Sequence, residues 1–314
     1  MPTTQSPIRF FLLAPSFFAS VSTPILSSKL LTLSSKEMAI TAQDVNKLRA
    51  MTGAGMMDCK KALTEADGDF EAARDILRKQ GQKIADKRAE NETSEGLVLV
   101  SVSEDGTTGK LVALACETES VAKVANFREL AQQVLDAAVR TNAGTKEDLL
   151  ATKEADGLTV QEHITDLMGK IGEKIDVTYA TLTAEKVASY IHSDNKKGVL
   201  VGLKNVGGAD TTEVGRDVAM QIVAMKPVAV DKDGVDAATV EREIEIGKEQ
   251  ARAEGKPEAM LEKIAQGKLN KFYKDNTLLN QEFVKDNSVT IAKLLDNKQK
   301  GMTVTDFKRV AIGA

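Results

Sequence analysis

The chain contains no tryptophan, and its 314 residues hold only two histidines and two cysteines. Aromatic residues make up 4% of it, so stacking platforms for nucleic-acid bases are hard to build. A basic excess is also missing: 42 Lys and Arg against 46 Asp and Glu leave a formal charge of −4. Without a basic field, tight nonspecific binding to nucleic acid is not expected. Beyond the first 37 residues no run approaches the ~18 apolar residues of a membrane span. The two thiols, Cys59 and Cys116, are too far apart in sequence for a disulfide framework, and no Cys-x-x-Cys pair suggests zinc. They read as buried reduced thiols, which points to a reducing compartment and a cytoplasmic location.

Catalytic signatures are missing too. There is no G-x-x-x-x-G-K-[ST], no G-x-S-x-G and no H-E-x-x-H. "GAGMMD" (53–58) has half of a dinucleotide fingerprint, but it follows a helical pattern rather than a strand and lacks the third glycine. His163 and His192 lie in separate segments without carboxylates at ligand spacing, so neither a metal nor any other cofactor is expected. The acids Glu117 and Glu119 could divide into acid and base only if their surroundings pulled their pKa values apart, which an exposed corner would not do. A metabolic enzyme is the weakest reading.

What is present is an ordinary globular composition, 42% hydrophobic and 28% charged, in a patterned order. Residues 1–37 are serine-rich with one acid and an apolar run near Phe10 to Phe18. They read as a signal peptide, a transit peptide, or sequence upstream of a true start at Met38, the third being favoured because arginine is scarce and Pro15 interrupts the run. Residues 38–81 form a helical head of three short helices. Thr41 and Asp44 make a capping pair; Val45, Leu48 and Met51 give the first apolar stripe, and Met56, Cys59, Ala62 and Leu63 the second. Asp69 caps the third helix, which Gly81 is expected to stop. Of the adjacent Met56 and Met57, one is expected to be displayed as an adaptable contact. Residues 82–95 are charged and read as a linker.

The next segment, 96–180, opens with "GLVLVSVS" and "KLVALAC", two strands joined by the turn "EDGTTG", then a helix from Val124 to Ala138. The order recurs in 181–235: "VASYIHS", the turn "DNKKG", "VLVGLKN" and a helix from Glu213 to Met225. "LAQQV" (130–134) and "VAMQI" (218–222) reinforce the reading of a diverged duplication of a β-β-α unit. Residues 236–276 predict a charged antiparallel helical hairpin with coiled-coil spacing, turning at "EGKPE". Residues 277–314 complete the second unit and end in a strand. The fold class expected is α+β.

Between the second strand and its helix stand Glu117, Thr118, Glu119 and Ser120. Residue types alone allow a solvated turn, with Thr118 or Ser120 capping the helix, or a recognition loop held by a scaffold.

The head resolves that choice by likeness. "LRAMTGAGMMDCKKAL" (48–63) resembles the N-terminal module of the bacterial elongation factor Ts family. The similarity continues through "ETESVAKVANF" (117–127), "MQIVAMKP" (220–227) and "GKPEAMLEKIAQGKLNKFYKDNTLLNQEFVKD" (255–286). It covers essentially all of 38–314 and strengthens Met38 as the start. The resemblance implies a guanine-nucleotide exchange factor for the GTPase elongation factor Tu, acting by binding and not as an enzyme. It implies a ubiquitin-associated-like (UBA-like) head and leaves room for a complex of two factors with two GTPases. The family corner Thr-Asp-Phe-Val, which presses beside the magnesium site of the GTPase, corresponds to Thr118, Glu119, Ser120 and Val121. Glu119 keeps the charge on a longer arm, whereas Ser120 lacks the aromatic wedge. Leu48, Arg49, Met56, Met57 and His192 match other partner-contacting positions. The C-terminal helix of many bacterial members has no counterpart before Ala314. A binding adaptor without exchange activity, suggested by the UBA-like head, is the alternative.

Overall fold

The structure is a computed structural model and describes residues 40–313. The reading of the leader and of a start at Met38 lies outside the described residues.

Three helices open the described chain: α1 (Ala42–Thr52), α2 (Met56–Glu65) and α3 (Phe70–Lys87). The Thr41 hydroxyl accepts from the Asp44 amide at 3.2 Å, and the Asp44 carboxylate accepts from the Thr41 amide at 3.0 Å. This reciprocal cap starts α1, and Gly53, at φ +70°, ends it in the left-handed region. Val45, Leu48, Cys59, Ala62, Leu63 and Ala73 meet in a small core.

Gly81 does not stop the third helix. It lies inside α3, where the backbone crosses α7 (Val160–Ile171) at Gly169. A Cβ on Gly81 would stand 2.9 Å from the Thr165 carbonyl oxygen, and one on Gly169 would stand 2.9 Å from the Gly81 Cα. Glycine here permits close backbone approach and is not a cap. Residues 82–87 therefore continue the head's last helix, and only the stretch after Lys87 connects it to the first strand.

The body is built on two three-stranded antiparallel sheets. The first contains β1 (Glu95–Val102), β2 (Thr108–Cys116) and β3 (Ile175–Thr183) in that order. The second has β4 (Lys186–Ile191), β5 (Lys197–Lys204) and β8 (Thr303–Ala311), also in that order. Val98, Leu111, Leu182, Val187, Leu200 and Ile312 pack between them. On its other face the first sheet is covered by α5 (Ala125–Thr141), the short α6 (Lys146–Ala151) and α7, with Val112, Leu114, Phe127, Val134 and Leu149 in the core between. The second is covered by α8 (Thr212–Met225) and α11 (Ile291–Lys298), over Val199, Val201, Ile222 and Leu295. The central strands β2 and β5 are thus buried on both faces, which is why "KLVALAC" and "VLVGL" are continuous apolar runs instead of alternating ones. The fold is of mixed α+β type.

Two helices, α9 (Ala237–Ala253) and α10 (Glu258–Asn276), form an antiparallel hairpin. Gly247 meets Ala265, and Lys248 pairs with Glu262 at 2.7 Å and Arg252 with Glu258 at 2.9 Å. The chain then returns through the short strands β6 (Glu282–Phe283) and β7 (Asp286–Thr290). Fully buried Gln221 of α8 holds this return in place. Its amide donates to the Glu282 carbonyl (3.0 Å) and its oxygen accepts from the Val284 amide (2.9 Å). No helix among the described residues is long and apolar enough to cross a membrane.

Candidate partner-binding surface

β2 ends at Cys116, and the chain turns through Glu117 and Thr118 into the four-residue helix α4 (Glu119–Ala122). The Thr118 hydroxyl accepts from the Val121 amide at 3.5 Å, the capping role its residue type suggested. The same hydroxyl donates to Glu173 Oε1 at 2.7 Å, and the Thr118 amide donates to Glu173 Oε2 at 3.0 Å. Val121 is buried in the core beneath α5, so it anchors the corner and does not face outward. Glu119 and Ser120 are exposed.

The two acids of the corner differ in surroundings but not in protonation. Glu117 is mostly buried. Its carboxylate accepts from Arg88 Nη1 (2.8 and 2.9 Å), Asn91 Nδ2 (2.9 Å) and the Lys174 amide (2.6 Å). Burial pushes its pKa up, but these donors outweigh that and hold it below the ordinary glutamate value. Glu119 is held below that value by the Lys123 ammonium, 2.7 Å away on the next turn. Both shifts run the same way, so both groups are carboxylates at neutral pH and no acid–base pair forms.

The second hairpin reaches the same end of the sheets. Lys196 pairs with Glu95 at 2.6 Å, and Glu95 lies opposite Cys116 in the β1–β2 ladder. The Val98 amide donates to the Asn195 carbonyl at 2.7 Å. His192, half-buried at the start of that turn, sits edge-on to Tyr190, with Nδ1 3.3 Å from the tyrosine hydroxyl. The corner and the His192 turn are therefore brought together.

On the head, Arg49 is exposed, and Met51, Met56 and Met57 are all more than half exposed. Both adjacent methionines are displayed, not one: α2 begins at Met56, and its first turn overhangs the stripe of Cys59, Ala62 and Leu63 that faces the core. Leu48 is a correction in the other direction. It is fully buried in the head core and supports this face from beneath, because its stripe with Val45 points toward α2 and α3. Sequence reasoning missed Arg88, Asn91, Glu173 and Lys174 as supports of the corner. Only the charge density of 82–95 hinted at them.

A cavity of about 300 Å³ lies beside the α3–α7 crossing, with Arg78, His163, Asp166 and Lys170 among its lining. His163 Nε2 stands 3.3 Å from Asp156 Oδ1. Among the described residues no group of three or more His, Cys, Asp or Glu is arranged to hold a metal ion.

The architecture defines an α+β protein in which paired antiparallel sheets, each backed by helices, display an acidic corner and a hairpin turn from one end. Residues 117–314 match the family described as Elongation factor TS. The chain is 67% identical over 274 residues to the elongation factor Ts of Cytophaga hutchinsonii, covering 87% of this chain and 99% of that one. It is 56% identical over 278 residues to that of Amoebophilus asiaticus (88% and 100% covered). With that of Hydrogenobaculum it shares 42% identity over 280 residues (88% and 100% covered). The chain belongs to the elongation factor Ts family, whose members are factors of translation elongation.

Proposed function

We propose that this chain is a guanine-nucleotide exchange factor for elongation factor Tu in the cytoplasm, releasing GDP by binding and not by chemistry. The observation that carries this reading is the corner Thr118–Val121, an ionised acid displayed on a supported turn inside the family-matched region. The exchange reading needs a charge that can compete for the surroundings of a bound magnesium ion, and no acid–base pair. Thr118 and Val121 set the corner's shape, and Glu119 and Ser120 meet the GTPase. His192, Arg49, Met56 and Met57 extend the contact, with Leu48 shaping the head face from below. In this reading the head is a UBA-like module, the two β-β-α units are a duplication, and the α9–α10 hairpin is a coiled-coil arm. The domain divisions then fall near residues 88, 181, 236 and 277.

The coupling is reciprocal: whatever the factor takes from GDP affinity, GDP takes from the factor's affinity. A chain equally fond of the empty and the GDP-filled GTPase would release nothing.

The test is displacement of fluorescent GDP from elongation factor Tu, with wild type, Glu119→Ala and Ser120→Phe. Glu119→Ala should slow release. Ser120→Phe should speed it if an apolar pocket awaits an aromatic side chain, since an unfilled phenylalanine site is worth about 3 kcal/mol. Unchanged rates in both variants would remove the corner from the mechanism. A wild-type chain that captured the GTPase without speeding release would be an adaptor.

A further inference from the structure

Glu117 and Glu119 are two residues apart and do opposite things. Glu119 is two-thirds exposed and bonds only within its own turn, to Lys123. Glu117 is 17% exposed and bonds only to distant segments. Arg88, capping the end of the head's last helix, and Asn91, in the turn beyond it, reach it from 29 and 26 residues earlier, and the Lys174 amide from 57 residues later. The contacts interlock. Lys174 Nζ donates back to the Ala89 and Asn91 carbonyls at 2.7 and 2.8 Å, and neighbouring Glu173 accepts both donors of Thr118. Three segments, 88–91, 117–118 and 173–174, are thus tied around one carboxylate. It accepts four hydrogen bonds from three groups: two from Arg88 Nη1, one from Asn91 Nδ2 and one from the Lys174 backbone amide.

We propose that Glu117 is a positioning residue: it fixes the displayed corner Thr118–Val121 and fastens it to α3, so that the head face and the corner present to a partner as one preorganised surface. This rests on the exchange reading for its consequence, though not for its geometry. Neither Glu117 nor Arg88 need touch the partner. Their loss leaves Glu119 and Ser120 chemically intact but unaimed. The head face can engage while the corner is still unaimed, so the cost of ordering the corner falls on the step in which it enters the nucleotide site and is read in the maximal rate.

The test uses the full chain with Glu117→Gln, Arg88→Met and the double variant, in two assays. Amide hydrogen exchange on the free protein should show residues 118–124 losing protection in Glu117→Gln while α5 keeps its own. In GDP release from elongation factor Tu, the maximal rate at saturating factor should fall about tenfold, the loss expected when a charge-assisted contact is removed. A merely structural role would lower the active fraction and raise the half-saturating concentration, leaving the maximal rate unchanged. The double variant should be no worse than the worse single, because both act through one contact, and Arg88→Lys should recover part of the rate. Unaltered protection of 118–124 in Glu117→Gln would overturn the proposal, as would a maximal rate equal to wild type or effects that multiply in the double variant. If the wild-type chain itself fails to speed GDP release, the exchange reading falls, and the protection assay still decides whether Glu117 positions the corner.

Discussion

Two glycine-to-alanine substitutions in helices should differ sharply in their effect on stability. In an open helix interior, alanine is worth up to about 1 kcal/mol over glycine. Gly267 of α10 is exposed, with nothing within 4 Å of an added Cβ, so Gly267→Ala should gain about that amount. Gly169 of α7 has the same helical context but faces the Gly81 Cα, where a new Cβ would stand at 2.9 Å. Carbon atoms in good contact lie at about 3.5–4.0 Å, so α3 and α7 must part by roughly half an ångström or more. The obstructing atom is backbone and cannot swing away. Overpacking of this kind costs about 1–3 kcal/mol, which outweighs the helix gain and leaves Gly169→Ala neutral to about 2 kcal/mol less stable. The contrast between the two variants, about 1–3 kcal/mol, is the quantity to measure, by urea unfolding with hydrogen exchange assigning the change to α3 and α7 or to α10. If Gly169→Ala stabilises α7 as much as Gly267→Ala stabilises α10, the close crossing of the head on the body is wrong.

Cys116 should be inert in the folded protein. Burial, reinforced by the negative field of Glu173, pushes its thiol up to about 12, so at pH 8 only about one in 10⁴ molecules carries the thiolate, against about a quarter for a free cysteine. Alkylation followed by mass spectrometry should find Cys116 unmodified until the chain is denatured; labelling at the rate of a free thiol would contradict this. Asp166 gives a pH dependence of defined sign. Burial raises its pKa, a shift that nearby Lys170 and Arg78 only partly offset, so the folded state holds the proton more tightly than the unfolded one. Its contribution therefore becomes less favourable as pH rises from the ordinary carboxylate range through the folded pKa. Asp166→Asn should raise the urea midpoint at pH 7, with an advantage that fades below about pH 4, where both states of the parent are protonated. An equal effect at both pH values would contradict the raised pKa of Asp166 in the folded state.

Much of the body is readable from local pattern, because the deciding interactions are local. The Thr41–Asp44 cap, the turn after "SVS" and the doubly buried β2 and β5 all follow from residues within a few positions of each other. Long-range partnerships are harder to see. Gly81 has the residue type of a helix stop, and only the approach of Gly169, 88 positions later, makes it a crossing point. Leu48 and Met56 look alike as members of apolar stripes. What separates them is that α1 lies over a core while the first turn of α2 hangs past it. β3 pairs with β2 across an insertion holding four helices, so its place in the sheet is not a local property. The corner's residues can be picked out by type, yet the donors to Glu117 are 26 to 57 positions away.

That distribution bears on how a four-residue helix can serve as a contact point. A helix as short as α4 has no stability of its own, since nucleation is unfavourable and only a turn or so of hydrogen bonds follows. Its shape must come from outside. Val121 is sunk into the core, Thr118 is held by Glu173 and itself holds the first turn, and Glu117 is tied to the head. Of the five residues from Glu117 to Val121, three (Glu117, Thr118 and Val121) are held by residues distant in sequence and not by local propensity. What remains free is the pair Glu119 and Ser120, one carrying the charge and the other the position where an aromatic would add reach. In the proposed exchange reaction the corner is thus a rigid support carrying two adjustable side chains. Changes at 119 and 120 should alter how strongly the GTPase is disturbed, whereas changes at 117, 118 and 121 should alter whether the disturbance is aimed at all. Glu119→Ala and Glu117→Gln should therefore differ in kind. In the first, the corner amides stay protected while GDP release slows; in the second, protection and release fall together. The same protection loss in both variants would mean that the charge and its support cannot be separated.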